Sequence, residues 1–439
     1  MSHMRVVIIG AGEVGRSIAA ALQTDHDVVV IEKDPERLQL LQKLDVLGVL
    51  GNGASLKVLK EAGAAGADLA IASTDIDEVN IVACAAAKQL GATVTIARVQ
   101  DAEYLQTWKR GYLGVDEMVC SELITSHAIA DVIGLRGVRA SDEFADGKIL
   151  MTETVIEENS PLIGVRLREA AVPKECNVAS IIRENSVIIP RGEDQLAAHD
   201  RLVLIGTPHA VHEFNRRLSL YPAVKEVLIV GGGRIGFRLA QILQSRGLRP
   251  KLIELDEERS RWLAENLPHT LVFHGDGTDV ELLEREGLSR CDVAVSVIGV
   301  DERNLLCGLL LKRMGVSQVI VRVEDPNFMA IFERVGIDLA INPRRLIAEE
   351  IIGFTRGRVE KSLSLEQDRA EVLEIEISRE SPLIGKKLAQ ASLPDGVLIG
   401  AIVRGERVII PRGTDALQPG DHAIVFSTKE AARQIEKLL

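Results

Sequence analysis

Aromatic residues are scarce in this chain of 439 residues, at 3% of the sequence. Positive charge is also in deficit, because 52 Lys and Arg residues face 64 Asp and Glu residues, which gives a net charge of -12. Nucleic-acid binding depends on cationic contacts to phosphates, and single strands also need aromatic side chains for base stacking. The composition therefore argues against nucleic acid as a partner.

Long apolar runs are missing as well. The short runs at 6–9 and 227–230 each end at a glycine, well below the roughly 18 residues that a membrane span requires. The five cysteines are far apart and form no C-x-x-C motif, so they fit neither a disulfide framework nor a metal or redox motif. We expect no membrane span and no metal ligands, and we expect reduced thiols as in a cytosol.

What the chain does contain is a long internal repeat. The segment 6–15 returns as 227–236, with Gly10 matched by Gly231 at an offset of 221 residues (231 minus 10). Further along, the string Ser-Pro-Leu-Ile-Gly at 160–164 reappears unchanged at 381–385. Together with the length, this predicts a large module followed by a small one, twice.

Within each large module, short apolar runs alternate with helical stretches, a pattern typical of strands buried on both faces of a parallel sheet. Six strands with crossover helices predict an α/β fold, a doubly wound Rossmann-like sheet in each large module. Each small module is predicted to be α+β, with two or three short strands and two helices. The predicted strands of the large modules are 6–9, 28–31, 46–50, 69–72, 94–97 and 117–120, then 227–230, 252–253, 271–273, 293–297, 319–321 and 339–341.

The domain boundaries follow from the repeat and from the polar stretches between its parts. We interpret three polar stretches as linkers, namely 136–148, 219–224 and 356–369. The predicted domains are 4–135 and 225–353 for the large modules, and 141–220 and 361–439 for the small ones.

Both large modules carry Gly-x-Gly-x-x-Gly directly after the first predicted strand and before a helix. An acidic residue follows about 20 positions later at the end of the second strand, and this context is typical of dinucleotide-binding folds. The first glycine makes a tight turn, the second lets a pyrophosphate approach the backbone, and the third lets the helix pack on the strand. The motif residues are Gly10, Ala11, Gly12, Glu13, Val14 and Gly15 in the first copy and Gly231, Gly232, Gly233, Arg234, Ile235 and Gly236 in the second.

The acidic residues are Glu32 and Glu254. Each is expected to accept hydrogen bonds from ribose hydroxyls and to repel the 2′-phosphate of NADP. Lys33, beside Glu32, weakens that exclusion in the first site. The alternative remains open that the glycines only make a turn and the glutamates are solvated strand ends.

One position distinguishes the two copies. After the second glycine the first copy has Glu13 and the second has Arg234. An arginine there can pair with a terminal phosphate, whereas a glutamate repels one. We expect NAD(H) in site 1 and NAD(H) or ADP/ATP in site 2, with the alternative that Arg234 is only a surface arginine.

Further candidates follow from topology, since ligands of such sheets lie beyond the carboxyl ends of the strands. A turn or loop-capping role is equally compatible with each of them. They are Asn52, Gly53, Ser73, Thr74 and Arg98 in the first copy and Asp276, Gly277, Val297 and Arg322 in the second.

A catalytic constellation is not evident in the sequence. A dehydrogenase needs a proton donor or acceptor beside the nicotinamide and a substrate pocket, and the repeated small modules offer neither. Cys84 and Cys307 lie in apolar helices and are expected in the core. Two nucleotide folds without a catalytic group favour sensing over catalysis, and the alternative is an NAD-dependent oxidoreductase with a duplicated fold.

The motifs also resemble a known family. A glycine motif with its acidic residue, Gly-Asn-Gly at 51–53, Asp-Glu-Val-Asn at 77–80, and then Ser-Pro-Leu-Ile-Gly and Ile-Pro-Arg-Gly in a small module resemble the RCK (KTN) regulatory domains of potassium channels and transporters. Two such units in one chain resemble the regulatory subunits of bacterial Trk potassium uptake systems. The resemblance covers 4–439, although Glu13 departs from the arginine or asparagine-like residue of some relatives.

The resemblance implies a function and a set of partners. It implies large modules that bind NAD(H) or adenine nucleotides and assemble into a ring, as a homotetramer with eight lobes. It also implies that this ring docks on the cytoplasmic face of an integral-membrane potassium-translocating Trk subunit. A nucleotide could then gate the partner by binding two ring conformations with different affinity.

Overall fold

The computed structural model describes residues 3–109, 111–134, 138–145, 147–184, 186–218, 224–354, 359–365, 370–391, 393–394, 396–405 and 407–438. The chain forms two compact units, and each contains parts of both copies of the repeat. The first unit spans Met1–Ala130 and Glu226–Thr355, and the second spans Asp131–Lys225 and Arg356–Leu439. The large modules thus share one unit and the small modules share the other.

The first large module is a six-stranded parallel sheet with the order β3-β2-β1-β4-β5-β6. All six predicted strands are confirmed. In chain order its elements are β1 (Arg5–Ile9), α1 (Glu13–Leu22), β2 (Asp27–Glu32), α2 (Pro35–Gln39), a 3₁₀ helix (Leu40–Lys43), β3 (Leu47–Leu50), α3 (Leu56–Glu61), β4 (Leu69–Ala72), α4 (Asp77–Leu90), β5 (Val94–Val99), α5 (Glu103–Lys109), β6 (Glu117–Cys120) and α6 (Ser121–Val132).

The first small module is a five-stranded antiparallel sheet with the order β10-β9-β11-β8-β7. Its elements are β7 (Val138–Phe144), β8 (Ile149–Val155), β9 (Cys176–Arg183), β10 (Ser186–Ile188), β11 (Arg201–Gly206) and α7 (Pro208–Leu218).

The second large module repeats the first, with the order β14-β13-β12-β15-β16-β17 and all strands parallel. Its six predicted strands are also confirmed. The elements are β12 (Val227–Val230), α8 (Arg234–Ser245), β13 (Lys251–Glu254), α9 (Glu257–Asn266), β14 (Leu271–His274), α10 (Val280–Arg285), a 3₁₀ helix (Leu288–Arg290), β15 (Val293–Ser296), α11 (Asp301–Arg313), β16 (Gln318–Arg322), α12 (Pro326–Arg334), β17 (Leu339–Ile341) and α13 (Pro343–Gly353).

The second small module has the sheet order β18-β19-β22-β20-β21, also antiparallel. Its elements are β18 (Val359–Leu365), β19 (Ala370–Glu376), a 3₁₀ helix (Leu388–Gln390), β20 (Val397–Arg404), β21 (Arg407–Ile409), β22 (His422–Thr428) and α14 (Lys429–Leu438).

Two predictions about the small modules were wrong. Each has five strands rather than two or three, and its described part has one α-helix rather than two. The stretches 136–148 and 356–369, predicted as linkers, contain β7 and β18. Both strands are rich in polar residues and lie at a sheet edge. Each forms because it pairs with its neighbouring strand, and its own sequence gives no clear strand pattern. The third predicted linker, 219–224, lies almost entirely outside the described residues, and the exact domain boundaries stay a prediction.

The parallel sheets are covered on both faces, as their apolar strands require. In β1, Val7 and Ile9 belong to one core cluster while Val6 and Ile8 belong to another. Cys84 and Cys307 are fully buried, which confirms their expected place in the core. Across the described residues, no helix combines the length and the apolar character needed to cross a membrane.

The two large modules exchange contacts through their last helices. Residues Ile347, Ala348 and Ile351 of α13 share one core cluster with Ile18 and Leu22 of α1. The last helix of a module therefore packs on the first helix of the other module.

The reciprocal contact joins α6 to α8. Ser126 donates from Oγ to the carbonyl oxygen of Ile235 at 3.2 Å, and Arg246 donates from Nη1 to the carbonyl oxygen of Ala130 at 2.7 Å. These contacts bring the residues that follow each glycine motif close to the other module.

Candidate functional site

The first and third glycines of each motif are required by the fold. Gly10 and Gly231 both have φ of +103°, a backbone conformation that side chains rarely allow. A Cβ at Gly15 would lie 1.9 Å from the carbonyl oxygen of Gly10, and a Cβ at Gly236 would lie 1.9 Å from that of Gly231. The turn and the close approach of helix to strand explain these four glycines without a ligand.

The second glycines are different. Gly12 has φ -63° and ψ -178°, and Gly233 has φ -62° and ψ -170°, values that any residue adopts. No atom lies within 4 Å of a Cβ built on either residue. Each is the N-cap of a helix, α1 or α8, and no hydrogen bond from its own side chain caps that helix. Open space therefore lies beside the first turn of each helix, and the amides of such a turn can bind a phosphate.

The acidic residues at the ends of β2 and β13 are fixed against the glycine loops. Glu32 is buried, and its Oε2 accepts a hydrogen bond of 2.6 Å from the amide of Ala11. Its Oε1 accepts from the amides of Lys33 and Asp34. These carboxylate contacts rule out a solvated strand end at Glu32.

Glu254 repeats this arrangement with a half-buried side chain. Its Oε2 accepts from the amide of Gly232 at 2.6 Å and its Oε1 from that of Asp256 at 2.9 Å. Both carboxylates are thus held beside the backbone that a bound pyrophosphate would approach. Lys33, in contrast, is exposed.

Two other candidate site residues, Asn52 and Asp276, stabilise turns through side-chain hydrogen bonds. Asn52 accepts from the amide of Ala54, which makes a local turn. Asp276 accepts from the amide and hydroxyl of Thr278 and from Arg303 at 2.8 Å. The backbone hydrogen bond from Thr278, with further help from Arg303, lowers the pKa of Asp276.

Glycines 53 and 277 also have a structural reason. A Cβ at Gly53 would lie 2.1 Å from Cγ2 of Ile9, and one at Gly277 would lie 2.2 Å from Cγ1 of Val230. These glycines let the loop after the third strand pack against the end of the first strand.

The candidates after β4 and β15 are mostly buried. The hydroxyl of Ser73 is buried behind Gly15 and makes no hydrogen bond within the described part of the chain. Val297 at the matching place is also buried. Thr74 donates from both its amide and its hydroxyl to Oδ1 of Asn80.

Sequence reasoning noted the Asp-Glu-x-Asn string but gave it no role. In the structure its asparagines join neighbouring loops. Asn80 donates from Nδ2 to the carbonyl oxygens of Thr74 and Arg98 at 2.9 and 2.8 Å. Asn304 donates likewise to those of Ile298 and Arg322.

The aspartates of the same string complete this bracing. Asp77 accepts from the amides of Gln100 and Asp101, and Asp301 accepts from the amides of Glu324 and Asp325. The string therefore fixes the loops at the carboxyl edge of each sheet, where the site lies. Its exact repetition in both modules was the signal that could have revealed this role.

The two arginines at the ends of β5 and β16 are held inside the site. Arg98 donates from Nε to the hydroxyl of Ser121 at 3.0 Å and lies 3.7 Å from Asp75. Arg322 pairs with Glu324, while its Nε has no hydrogen-bond partner within the described residues. Burial is the main cause that lowers the pKa of both guanidinium groups.

The residues after the second glycines are both paired with the opposite module. Glu13 pairs with Arg344 at the start of α13, and Arg344 also lies 2.8 Å from Glu324. Arg234 lies 3.4 Å from Glu122 at the start of α6. Both charges thus have partners across the interface, and the expected difference in nucleotide preference between the two sites stays a prediction.

Glu122 is unusual among these charged groups. It is 7% exposed, and its Oε1 forms no hydrogen bond among the described residues. Burial raises its pKa to about 7, and Arg234 only partly offsets that effect.

Cavities lie at both glycine loops. The cavity at the second loop has a volume of about 540 Å³ and is lined by Gly233, Glu254 and Asp276 together with Arg98 and Glu122 of the first module. The larger cavity therefore combines residues of the two modules.

The cavity at the first loop is smaller, about 240 Å³, and is lined by residues that include Gly12, Glu13, Ser73 and Arg344. Among the remaining motif residues, Ala11 and Val14 are buried in the core of the first module. The structure thus brings both glycine loops and both arginines at the strand ends to the interface between the large modules.

The fold defines a tandem protein with two Rossmann-like domains, each followed by a small domain with an antiparallel sheet. The TrkA-N domain family matches residues 6–121 and 227–343, and the TrkA-C domain family matches residues 151–219 and 372–439. The chain belongs to the TrkA family.

Two curated relatives are similar over nearly their whole length. The Trk system potassium uptake protein TrkA homolog 1 of Methanosarcina mazei is 38% identical, with 99% of each chain covered. The Trk system potassium uptake protein TrkA of Haemophilus influenzae is 34% identical, with 99% of this chain and 98% of the relative covered.

Solved structures with the same fold include two of the GsuK channel. The channel bound to NAD matches with a TM-score of 0.64 and 19% identity, covering 100% of this chain and 79% of the other. The structure bound to ADP matches with a TM-score of 0.52 and 15% identity, covering 81% and 70%.

Proposed function

We propose that the chain is a nucleotide-binding regulatory subunit of a Trk-type potassium uptake system. The observation that carries the nucleotide site is the open space at Gly12 and Gly233, because neither the backbone nor the packing requires glycine there. A pyrophosphate approaching the helix amides does require it. The TrkA names of full-length relatives support the regulatory role.

In this proposal the amides of the glycine loops hold the pyrophosphate, and Glu32 and Glu254 accept the ribose hydroxyls. Each carboxylate already accepts an amide hydrogen bond of 2.6 Å from its glycine loop. Glu32 accepts two further amide hydrogen bonds and Glu254 accepts one. Because a carboxylate has about four acceptor positions, about one remains on Glu32 and about two on Glu254 for ribose hydroxyls. The other predicted contacts, at 52–53, 276–277, 98 and 322, stay predictions.

We assign NAD(H) to site 1 and NAD(H) or ADP/ATP to site 2. Arg234 supports the second assignment, because its side chain is 59% exposed and its contact to Glu122 is 3.4 Å. A terminal phosphate can therefore compete for it. In site 1, Glu13 and Arg344 form a close pair that offers an anion no net charge. Fold relatives bound to NAD and to ADP are in keeping with both ligands.

Regulation requires that the nucleotide bind two arrangements of the large modules with different affinity. The cavity at the second loop supports this, since its walls come from both modules and a ligand there touches both. Several sites in a homotetramer would share the roughly 5.5 kcal/mol that a full switch of populations requires. The partner is an integral-membrane potassium-translocating subunit, met at the cytoplasmic face of the membrane.

The test of binding is a calorimetric titration of NAD, NADH, ADP and ATP into wild type, Gly12→Asp and Gly233→Asp. Each variant places a carboxylate where a phosphate would lie, and each serves as the control for the other site. We expect each variant to lose one site and retain the other. Unchanged stoichiometry in both variants would exclude nucleotide binding at the glycine loops.

The test of regulation is potassium flux through a Trk membrane subunit reconstituted with this chain. We expect nucleotide-dependent flux that the two aspartate variants alter. Tight nucleotide binding without any effect on flux would refute the regulatory role. Steady consumption of NADH with a small carbonyl substrate would instead favour an oxidoreductase.

A further inference from the structure

Two positions in each large module face the other module and carry charge. One position directly follows the second glycine. It is Glu13 in the first module and Arg234 in the second, 221 residues later (234 minus 13). The other is in the first turn of the last helix, Glu122 or Arg344, which are 222 residues apart (344 minus 122). The first module thus has two acids where the second has two arginines.

These four residues form two reciprocal pairs across the interface. Glu13 of the first module meets Arg344 of the second, and Arg234 of the second module meets Glu122 of the first at 3.4 Å. Each pair joins the glycine loop of one module to the last helix of the other. The charges are complementary only because the two modules differ.

The first helices of the two modules, α1 and α8, do not differ in charge or polarity at the apolar part of the interface. The face of α1 that receives α13 contains Ile18, Ala19 and Leu22. At the same places α8 has Leu239, Ala240 and Leu243, which are also buried. The helices that pack on them differ more, because Thr125 and Ser126 of α6 stand where α13 has Ile347 and Ala348. The apolar surfaces of α1 and α8 alone therefore do not prevent like modules from pairing.

Charge would oppose such pairing. Two first modules would place Glu13 of each against Glu122 of the other, and two second modules would place Arg234 against Arg344. Like charges in a partly desolvated interface repel strongly, and such repulsion is a known way to exclude wrong partners. Glu122 is almost completely buried, so water could not relieve the repulsion while its carboxyl is ionised.

We propose that the inverted charges at these four positions select the pairing of a first large module with a second one and exclude the pairing of like modules. The partner that this surface fits is the other half of the repeat, from the same chain or from another copy of the chain. This selection operates without bound nucleotide, because both pairs form between side chains of the protein itself.

The test uses the full-length chain without nucleotide. The double variant Glu13→Arg/Glu122→Arg leaves two arginines in each module at these positions. The double variant Arg234→Glu/Arg344→Glu leaves two acids in each module. The quadruple variant combines these changes and restores complementary pairs with the charges exchanged. Thermal unfolding and native mass by light scattering are measured at low salt and in 1 M salt.

Both double variants should unfold at least about 5 °C lower than wild type, and the quadruple variant should recover at least half of that loss. The loss should shrink in 1 M salt, because salt screens the repulsion. Glu61→Arg/Glu103→Arg makes the same change in net charge at exposed positions and should leave unfolding and mass nearly unchanged. Double variants as stable as wild type, or a quadruple variant no better than the doubles, would overturn the proposal.

Discussion

The side-chain amide of Asn80 donates a hydrogen bond of 2.8 Å to the backbone carbonyl of Arg98, and Asn304 makes the same bond to Arg322 at 2.9 Å. Both asparagines are fully buried. Each ties the loop after one strand to the end of the neighbouring strand. The geometry of both sites therefore depends on a residue that does not line either cavity.

Replacing Asn80 by Ala should destabilise the protein by about 3 kcal/mol. The change leaves the partly buried amide of Thr74 and the buried carbonyl of Arg98 without their partner, and an unpaired buried group costs about 1–3 kcal/mol. Hydrogen exchange should be faster at the amide of Thr74, and urea unfolding should measure the decrease in the free energy of unfolding. Asn304→Ala is the matched variant and should affect the second module instead. Slow exchange at Thr74 in the Asn80 variant would contradict this role.

Gly12→Ala should mainly weaken nucleotide binding, whereas Gly15→Ala should mainly destabilise the fold. A Cβ at position 12 meets no atom within 4 Å, so this variant should lose only the small difference between Gly and Ala as an N-cap. It should weaken nucleotide binding at site 1. A Cβ at position 15 would overlap the carbonyl of Gly10 at 1.9 Å and should lower the unfolding temperature clearly. Thermal unfolding and titration of the two proteins check this, and equal stability of the two would contradict it.

Glu122→Gln should raise stability at neutral and alkaline pH. Burial raises the folded-state pKa of Glu122 to about 7 from an ordinary value of 4.5, so the folded chain holds more protons than the unfolded chain between those values. In wild type this group therefore stabilises the fold increasingly as pH falls through that window and is unfavourable above it. The groups that face it are Arg234 and Arg238 from α8 and Asp101 after β5.

The measurement is the unfolding temperature of wild type and Glu122→Gln between pH 8 and pH 5. The variant should unfold about 2 °C higher or more at pH 8, and the difference should shrink towards pH 5. Glu61→Gln, at an exposed position, should show no such trend. A gain that is equal at both ends of the pH range would exclude titration of Glu122 as its cause.

Ser73→Ala should keep or raise stability by up to about 1 kcal/mol, because the hydroxyl of Ser73 is buried without a hydrogen-bond partner among the described residues. It should leave nucleotide affinity within about twofold of wild type, since the hydroxyl lies behind Gly15. Titration in the Gly233→Asp background isolates site 1. A tenfold loss of affinity would show that Ser73 contacts the ligand.

Much of the large modules could be predicted from the sequence, for a physical reason. Their strands are continuous apolar runs such as Val227–Val230, and glycines with a required backbone shape follow the first strand of each. These signals are local and strong. They place the two glycine loops after the first strand of each module, and Glu32 and Glu254 at the end of the second strand, where the structure has them.

The small modules and the interface carry weaker local signals. The strand Val138–Phe144 has polar residues in its middle, and its hydrogen bonds come from β8. The pair between Glu13 and Arg344 joins residues 331 positions apart. No spacing rule predicts such a contact from one sequence, because it depends on how the two modules pack.

The interleaved composition of the two units also constrains how the protein is made. The chain changes unit three times, at the boundaries after Ala130, Lys225 and Thr355. A ribosome that has finished the first copy of the repeat has therefore completed neither unit, and the apolar face of α1 still lacks α13. Translation stopped at that point would release a chain with an uncovered apolar surface, prone to self-association and degradation. The second copy thus supplies part of the core in which the first copy is buried.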